Sequence, residues 1–292
     1  MPFRDEFSSI TQAGQPLAPF TSLRIGGPAE YLVTPQTRDE LARVVAACTA
    51  EKIPFRVLCG GINLLVRDEG VKGVVVRMTA PEFTFVTVTG KTLKAGGGAS
   101  LYSVIAAASG AGLAGFETLV GIPATLGGAL RFNAGDRSGE IADHLVRAEV
   151  IDSTGRVVVR ERRDIRFGEH DSDLDDPVVL SVEFSLQSDS EGAIVKRMRR
   201  AWINRKAEQP LSHQAAVRVF RNPQGQSAAH LIERAGLGRE QVGAAEVSDR
   251  NANYIVARPG TSAKDILALA HRLREGVRAK SGIVLEQELN VW

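Results

Sequence analysis

Gly121-Ile122-Pro123-Ala124-Thr125-Leu126-Gly127-Gly128-Ala129, followed by Asn133-Ala134-Gly135, is the stretch whose reading decides the fold. It lies inside residues 115–139, a Gly-rich segment with neither the helical nor the strand period. Glycine and alanine strip side chains from the backbone, as close contact with a flat, extended ligand requires. Thr125 offers a hydroxyl, and Asn133 an amide for a ring heteroatom. A tightly packed loop between sheets is the competing reading. It is the weaker one, because long structureless segments in compact domains are uncommon unless functional.

Working outward, strand-like and helix-like segments alternate. Thr37 and Glu40 form a capping box ahead of Leu41, Val44, Val45 and Cys48 at helical spacing. The apolar run 55–58 reads as a buried strand that breaks into Cys59-Gly60-Gly61-Ile62-Asn63, and a strand over 74–78 follows. Glycines after a strand let backbone N–H groups approach a pyrophosphate, although any tight turn also favours glycine. Residues 83–95 look like a hairpin, and Ser100 caps a helix carrying Leu101, Val104, Ile105 and Ala108. Strands are expected at 148–151 and 157–160, joined by Asp152-Ser153-Thr154-Gly155, and at 178–186.

The polar stretch 187–192 suggests a boundary between domains 1–188 and 189–292. Beyond it, a helix presenting Ile194, Met198 and Trp202 stops before Pro210. Residues 227–235 form a short helix closed by Gly236. Ser262 and Asp265 open a helix with Ile266, Leu269, Ala270, Leu273 and Val277, and residues 283–285 begin a final strand.

Composition excludes several classes. A length of 292 residues with 43% hydrophobic and 24% charged residues suits a globular protein of about two domains. A net charge of +2 does not imply a nucleic-acid partner, and Lys196, Arg197, Arg199 and Arg200 read as one solvated helix face. Cys48 and Cys59 form neither a CxxC pair nor a metal set, so reduced thiols and no metal are expected. No apolar run approaches the about 18 residues that span a bilayer, and the first residues lack a signal-peptide core. The expectation is a cytoplasmic, monomeric protein.

Beyond these features, the chain resembles the UDP-N-acetylenolpyruvoylglucosamine reductase (MurB) family. The resemblance rests on Ser22-Leu23-Arg24-Ile25-Gly26-Gly27-Pro28-Ala29, the Gly60 turn, Gly115-Phe116-Glu117, Gly121-Ile122-Pro123 and Asn133-Ala134-Gly135. It continues through Phe220-Arg221-Asn222-Pro223, Leu231-Ile232-Glu233-Arg234-Ala235-Gly236-Leu237, Val247-Ser248, Asn253-Tyr254-Ile255-Val256 and Leu285-Glu286-Gln287-Glu288. These occur in family order over nearly the whole chain, and the length resembles the shorter subtype.

The resemblance implies an α+β fold: an FAD-binding half of two α/β subdomains (PCMH type), followed by a C-terminal α+β substrate domain. It implies that NADPH reduces FAD, and that hydride then passes to the enolpyruvyl C3 of a UDP-sugar. Carried over position by position, FAD would be bound by Arg24, Gly26, Gly60, Gly61, Asn63, Gly121, Ile122, Pro123, Thr125, Gly127, Gly128, Ala129, Asn133, Ala134 and Gly135. Arg221 and Asn222 would bind substrate, and Glu288 would be catalytic.

Two positions depart from the family pattern. Arg218 stands where a serine or cysteine protonates C2, and a guanidinium is a poor acid near neutral pH. His170 stands where an arginine helps stabilise the enolate; the alternative is a surface histidine beside Asp171, Asp173, Asp175 and Asp176. Ile62, Cys59 and Ala124 replace a serine and two glycines, and Asp136-Arg137-Ser138 is unlike the usual run. The expectation is the reductase reaction, with Arg218 as the cation beside the enolate and water or Ser212 as proton source. The alternative is an FAD-binding paralogue with another substrate or with catalysis lost.

Overall fold

The computed structural model describes residues 3–136, 138–210, 215–223 and 225–292. Arg137 and Ser212, both raised by the sequence, lie outside the described residues. The chain forms two compact units, and both are discontinuous. The first comprises Met1–Ala13, Glu30–Gly60 and Lys72–Asn204; the second comprises Gly14–Ala29, Gly61–Val71 and Arg205–Trp292. This division differs from the single break expected at 188/189. The helix Glu191–Glu208 runs through that region, so its first part belongs with the first unit.

In the first unit, five antiparallel strands lie in the order Val157–Glu161, Leu145–Ile151, Val178–Ser185, Thr92–Gly96, Val86–Thr89. Leu101–Gly110 and Leu126–Arg131 pack on this sheet through Leu101, Val104, Ile105, Leu126 and Leu130, against Leu93, Ala95, Val182 and Phe184. Burying a side chain of this size stabilises by roughly 1.5–3 kcal/mol. The hairpin begins at Val86, later than expected, because Pro81 starts the short helix Pro81–Thr84 and takes Phe83 with it. A second sheet runs Thr11–Pro16, Pro28–Val33, Val71–Val76, Phe55–Val57. Phe55–Val57 is parallel to Val71–Val76 and only half-buried. The helix Arg38–Ala50, with its capping box at Thr37 and Glu40, covers Val74 and Val76 with Leu41, Val44, Val45 and Cys48.

The second unit holds an antiparallel sheet in the order Ala216–Arg218, Tyr254–Ala257, Ala245–Val247, Gln241–Val242. Ala263–Ser281 buries Ile266, Leu269, Ala270, Leu273 and Val277 in the core that also contains Val217 and Ile255. Ala228–Arg234 starts at its cap Ser227, and Gly236 follows with φ +80°. The strand expected at 283–285 does not form. Residues 285–289 carry one isolated bridge, Gln287 to Phe220, and the pair Asn290–Val291 instead joins Leu64–Leu65 in parallel.

Two features of this framework are directly testable. Ser262 Oγ accepts from the Asp265 amide at 3.1 Å, and the Asp265 carboxylate accepts from the Ser262 amide at 2.9 Å. Ser262→Ala is therefore expected to lower stability by about 1 kcal/mol in urea titrations; an unchanged midpoint contradicts it. In the first unit, burial would raise Glu149. Hydrogen bonds from Ser181, Arg38 and Lys94 outweigh it and hold the carboxyl at about 2, against an ordinary 4.5. Because the folded value is depressed, this contribution is complete above pH 4.5 and is lost as pH falls towards 2. The stability gap between wild type and Glu149→Gln should shrink over that window in acid titrations; a pH-independent gap refutes the assignment.

Candidate functional site

The glycines that suggested a ligand cradle serve chain packing first. Gly61 has φ +63°, and a Cβ there would lie 1.9 Å from the Phe20 carbonyl oxygen. At Gly26, with φ +133°, a Cβ would meet Val66 Cβ at 2.6 Å. A Cβ on Gly127 would lie 3.1 Å from Gly97 O, one on Gly128 3.0 Å from Cys59 Cβ, and one on Gly135 2.4 Å from Gly139 O. What remains available for a ligand is the backbone donor set. The N–H groups of Gly60, Gly61, Ile62 and Asn63 donate to no described residue. Beside Gly61, whose carbonyl accepts from the Ser22 amide at 2.9 Å, the Ser22 hydroxyl is buried without a partner.

The 121–135 segment is not irregular throughout. Leu126–Arg131 is helical, with Thr125 as its cap and Gly127, Gly128 and Ala129 buried in its first turns. Paired glycines have poor helix propensity, which hides this turn from a periodicity search. The helix start is also committed: Leu126 N–H donates to Ala99 O and Gly127 N–H to Gly97 O, each at 2.8 Å. The Thr125 hydroxyl accepts from Gly128 N–H at 3.4 Å. Gly121 and Pro123 are exposed, and Ile122 is half-buried.

Asn133 is 1% exposed, with φ +43°. Its amide donates to Glu140 Oε2 at 2.5 Å and to Gly168 O at 3.0 Å, while its Oδ1 is buried without a donor. Such an orphaned acceptor suits a ring N–H. Ala134 and Gly135 follow it, both buried. Taken one at a time, the free turn amides suit a diphosphate, and the buried Asn133 carbonyl oxygen suits a flat heterocycle.

His170 sits at φ +53° between Phe167–Gly168 and Asp171–Ser172, a two-stranded hairpin. In the acidic run beside it, Asp173 pairs with Arg166 at 2.7 Å and Asp176 with Arg160 at 2.9 Å. Among the described residues no cluster could hold a metal ion.

In the second unit, the segment carrying Glu288 is stitched on both sides. Arg221 N–H donates to Glu286 O at 2.9 Å and Glu288 N–H to Val219 O at 2.8 Å. Asn290 N–H donates to Asn63 O at 3.0 Å, Trp292 N–H to Leu65 O at 2.9 Å, and Arg67 N–H to Trp292 O at 3.0 Å. Asn63, at φ +50°, adds its side-chain amide to the Glu288 carbonyl at 3.2 Å. So the Asn63 side chain holds Glu288 in place, and its backbone N–H is what stays available.

The Glu288 carboxylate meets Arg218 Nε at 3.1 Å, with side chains 18% and 26% exposed. The contact is an ion pair without hydrogen-bond alignment, and Oε2 has no aligned donor. Arg221 lies 3.8 Å from Glu286 through Nε, with 40% of its side chain exposed. Asn222 is exposed, but its Oδ1 accepts from the Ala228 amide at 3.0 Å and so helps start that helix. Arg24 is exposed at φ +54°.

Sequence reasoning missed three contributors. Ser22 sits in a quoted motif, yet nothing local marks its hydroxyl as stranded. Asn253 is 3% exposed and brackets Phe220, accepting from its N–H at 3.0 Å and donating to its O at 2.7 Å. Tyr254 stands opposite Arg218 in the strand register, which only pairing reveals.

The first unit thus carries a buried heterocycle acceptor, and the second carries free turn amides and an arginine–carboxylate pair; each is a feature that suits a flavin-dependent enzyme. In agreement, residues 29–160 match the family described as FAD binding domain. Residues 209–292 match the family described as UDP-N-acetylenolpyruvoylglucosamine reductase, C-terminal domain. UDP-N-acetylenolpyruvoylglucosamine reductase 2 of Symbiobacterium thermophilum is 40% identical over 280 residues, covering 95% of this chain and 91% of the relative. The reductase of Moorella thermoacetica is 39% identical, covering 95% and 92%. The crystal structure of MurB from Thermus caldophilus aligns with a TM-score of 0.82 at 39% identity, over 94% of this chain and 97% of that one. The chain belongs to the UDP-N-acetylenolpyruvoylglucosamine reductase family.

Gly61→Ala should destabilise the protein without any added cofactor, since a Cβ 1.9 Å from a backbone oxygen forces the chain to move. A loss of about 1–3 kcal/mol or more, or failure to fold, is expected in thermal melts. A wild-type melting curve with weakened flavin binding alone would show that Gly61 serves the ligand and not the packing.

Proposed function

We propose that this chain uses NADPH, through bound FAD, to reduce UDP-N-acetylglucosamine enolpyruvate to UDP-N-acetylmuramate. The observation that carries the reading is likeness to reductases of that name over 95% of the chain, together with a donor set that fits the cofactor. Toward FAD, the turn amides of Gly61, Ile62 and Asn63 and the Ser22 hydroxyl in the second unit suit a diphosphate; in the first unit, the Asn133 Oδ1 acceptor suits a ring N–H.

Bound flavin supplies the hydride and the route for electrons from NADPH. The chain's own residues do the rest. Hydride addition at C3 of an enolpyruvyl ether leaves negative charge shared between C2 and its carboxylate. A fixed cation lowers the energy of that charge, and Arg218 is such a cation, anchored by Glu288. Removing a stabiliser of this kind commonly costs about 100- to 1000-fold in rate. Arg221, with a part-exposed guanidinium, suits a phosphate of the UDP group through its fork of donors. Among the described residues, no helix is long and apolar enough to cross a membrane.

Mixing anaerobically photoreduced flavoprotein with UDP-N-acetylglucosamine enolpyruvate tests the reading. Oxidised-flavin absorbance should return many times faster than with buffer. A return no faster than the buffer control contradicts it.

A further inference from the structure

Adding two hydrogens across a carbon–carbon double bond takes a hydride and a proton, and the proton must come from an acid. Glu288 is a carboxylate engaged with Arg218, and Arg218 is an arginine, so neither suits the task. The same sheet face supplies a third group. Arg218 and Tyr254 are directly opposed in the antiparallel register, as are Val217 and Ile255 one position along. Val217 and Ile255, 2% and 0% exposed, point into the core, so strand alternation sends Arg218 and Tyr254 to the other face together. Opposed side chains of this kind are about 4.5–5.5 Å apart at Cβ. Glu288 reaches that face from the segment bonded to Val219.

We propose that Tyr254 is the acid of this site: its phenolic O–H protonates the substrate carbon, and Arg218 holds the phenolate that remains. This deepens the proposed reductase function and rests on it. In the step, the electron pair left at C2 by hydride addition takes the proton of Tyr254 Oη. The O–H bond breaks, a C–H bond forms, and the phenolate pairs with the Arg218 guanidinium. Solvent returns the proton before the next turnover, while NADPH supplies the two electrons through the flavin.

The surroundings suit such a role. Burial pushes the Tyr254 hydroxyl up, Arg218 and Arg205 pull it down, Glu288 pushes it up, and a hydrogen bond with the Gln209 side chain pulls it down. The net direction is upward, so the proton stays in place at neutral pH. A phenol is also a far stronger acid than an alcohol. An arginine beside it stabilises the charge that appears only once the proton has left, which is the part of the step that catalysis must favour.

The test uses the flavin-loaded protein in two half-reactions. In Tyr254→Phe, reduction of the flavin by NADPH should stay within about twofold of wild type, while reoxidation by UDP-N-acetylglucosamine enolpyruvate falls about 100-fold or more. In wild type, reoxidation should decline as pH rises past the ordinary tyrosine range, because the acid form is lost, and the variant should lack that limb. Wild-type reoxidation in the variant overturns the proposal. If the phenylalanine variant melts early, a fluorotyrosine placed at 254, nearly isosteric and more acidic, should move the limb to lower pH; an unmoved limb overturns the assignment. A wild type that the substrate does not reoxidise defeats the reductase reading itself, and this proposal with it.

Discussion

Each backbone hydrogen bond contributes only about 1 kcal/mol net, yet the bonds along residues 285–292 decide where the second unit's chemistry sits. That segment is extended, and extended chain holds a fixed course only when its N–H and C=O groups are paired. Here the strand region at 217–221 takes one side, and residues 63–67 take the other. Glu288 is therefore placed by backbone bonds from both directions, with the Asn63 amide on its own carbonyl. Once that carboxylate is fixed, the position of Arg218 follows from charge, and Tyr254 from strand register. The same Asn63 belongs to the turn whose N–H groups remain unpaired, so one residue serves both the anchoring of a carboxylate and a diphosphate-sized donor set.

An arginine standing alone on a half-buried sheet face would be disruptive, and Arg218 does not stand alone. Its partner Glu288 offsets the burial of its charge, and the phenol opposite gains a cation to lean on. His170 is set differently. It stands at the tip of a short hairpin with a left-handed backbone, a geometry histidine tolerates better than most residues.

Much of this was legible in the sequence because it depends on local rules. Thr37 with Glu40, Ser100, Ser227 and Ser262 with Asp265 all start helices where their side chains suggest. The hairpin turn at Asp152 to Gly155 forms as its residues dictate. The misreadings are equally physical. The helix at Leu126–Arg131 escapes notice because Gly127 and Gly128 supply no apolar stripe, and its stability comes from Thr125 and from bonds to Ala99 and Gly97. Residues 283–285 look like a strand because they are apolar, but pairing partners determine where a sheet forms, and these lie further on, at Asn290–Val291. Gly26 and Gly61, expected at the cofactor, also lie where the chain passes close to a distant stretch, at Val66 and Phe20. Such crossings join residues far apart in sequence and leave no periodic trace.

The discontinuity of the second unit has a consequence for how the protein comes into being. Gly14–Ala29 and Gly61–Val71 are made well before their partners in Arg205–Trp292. Leu64 and Leu65 wait for Asn290 and Val291 before their parallel pairing can close. Loop-closure entropy makes such distant pairings slow to form. Until those later residues are made, the apolar face around Leu23 and Leu65 has no core to join, so the nascent chain carries that hydrophobic surface unmet.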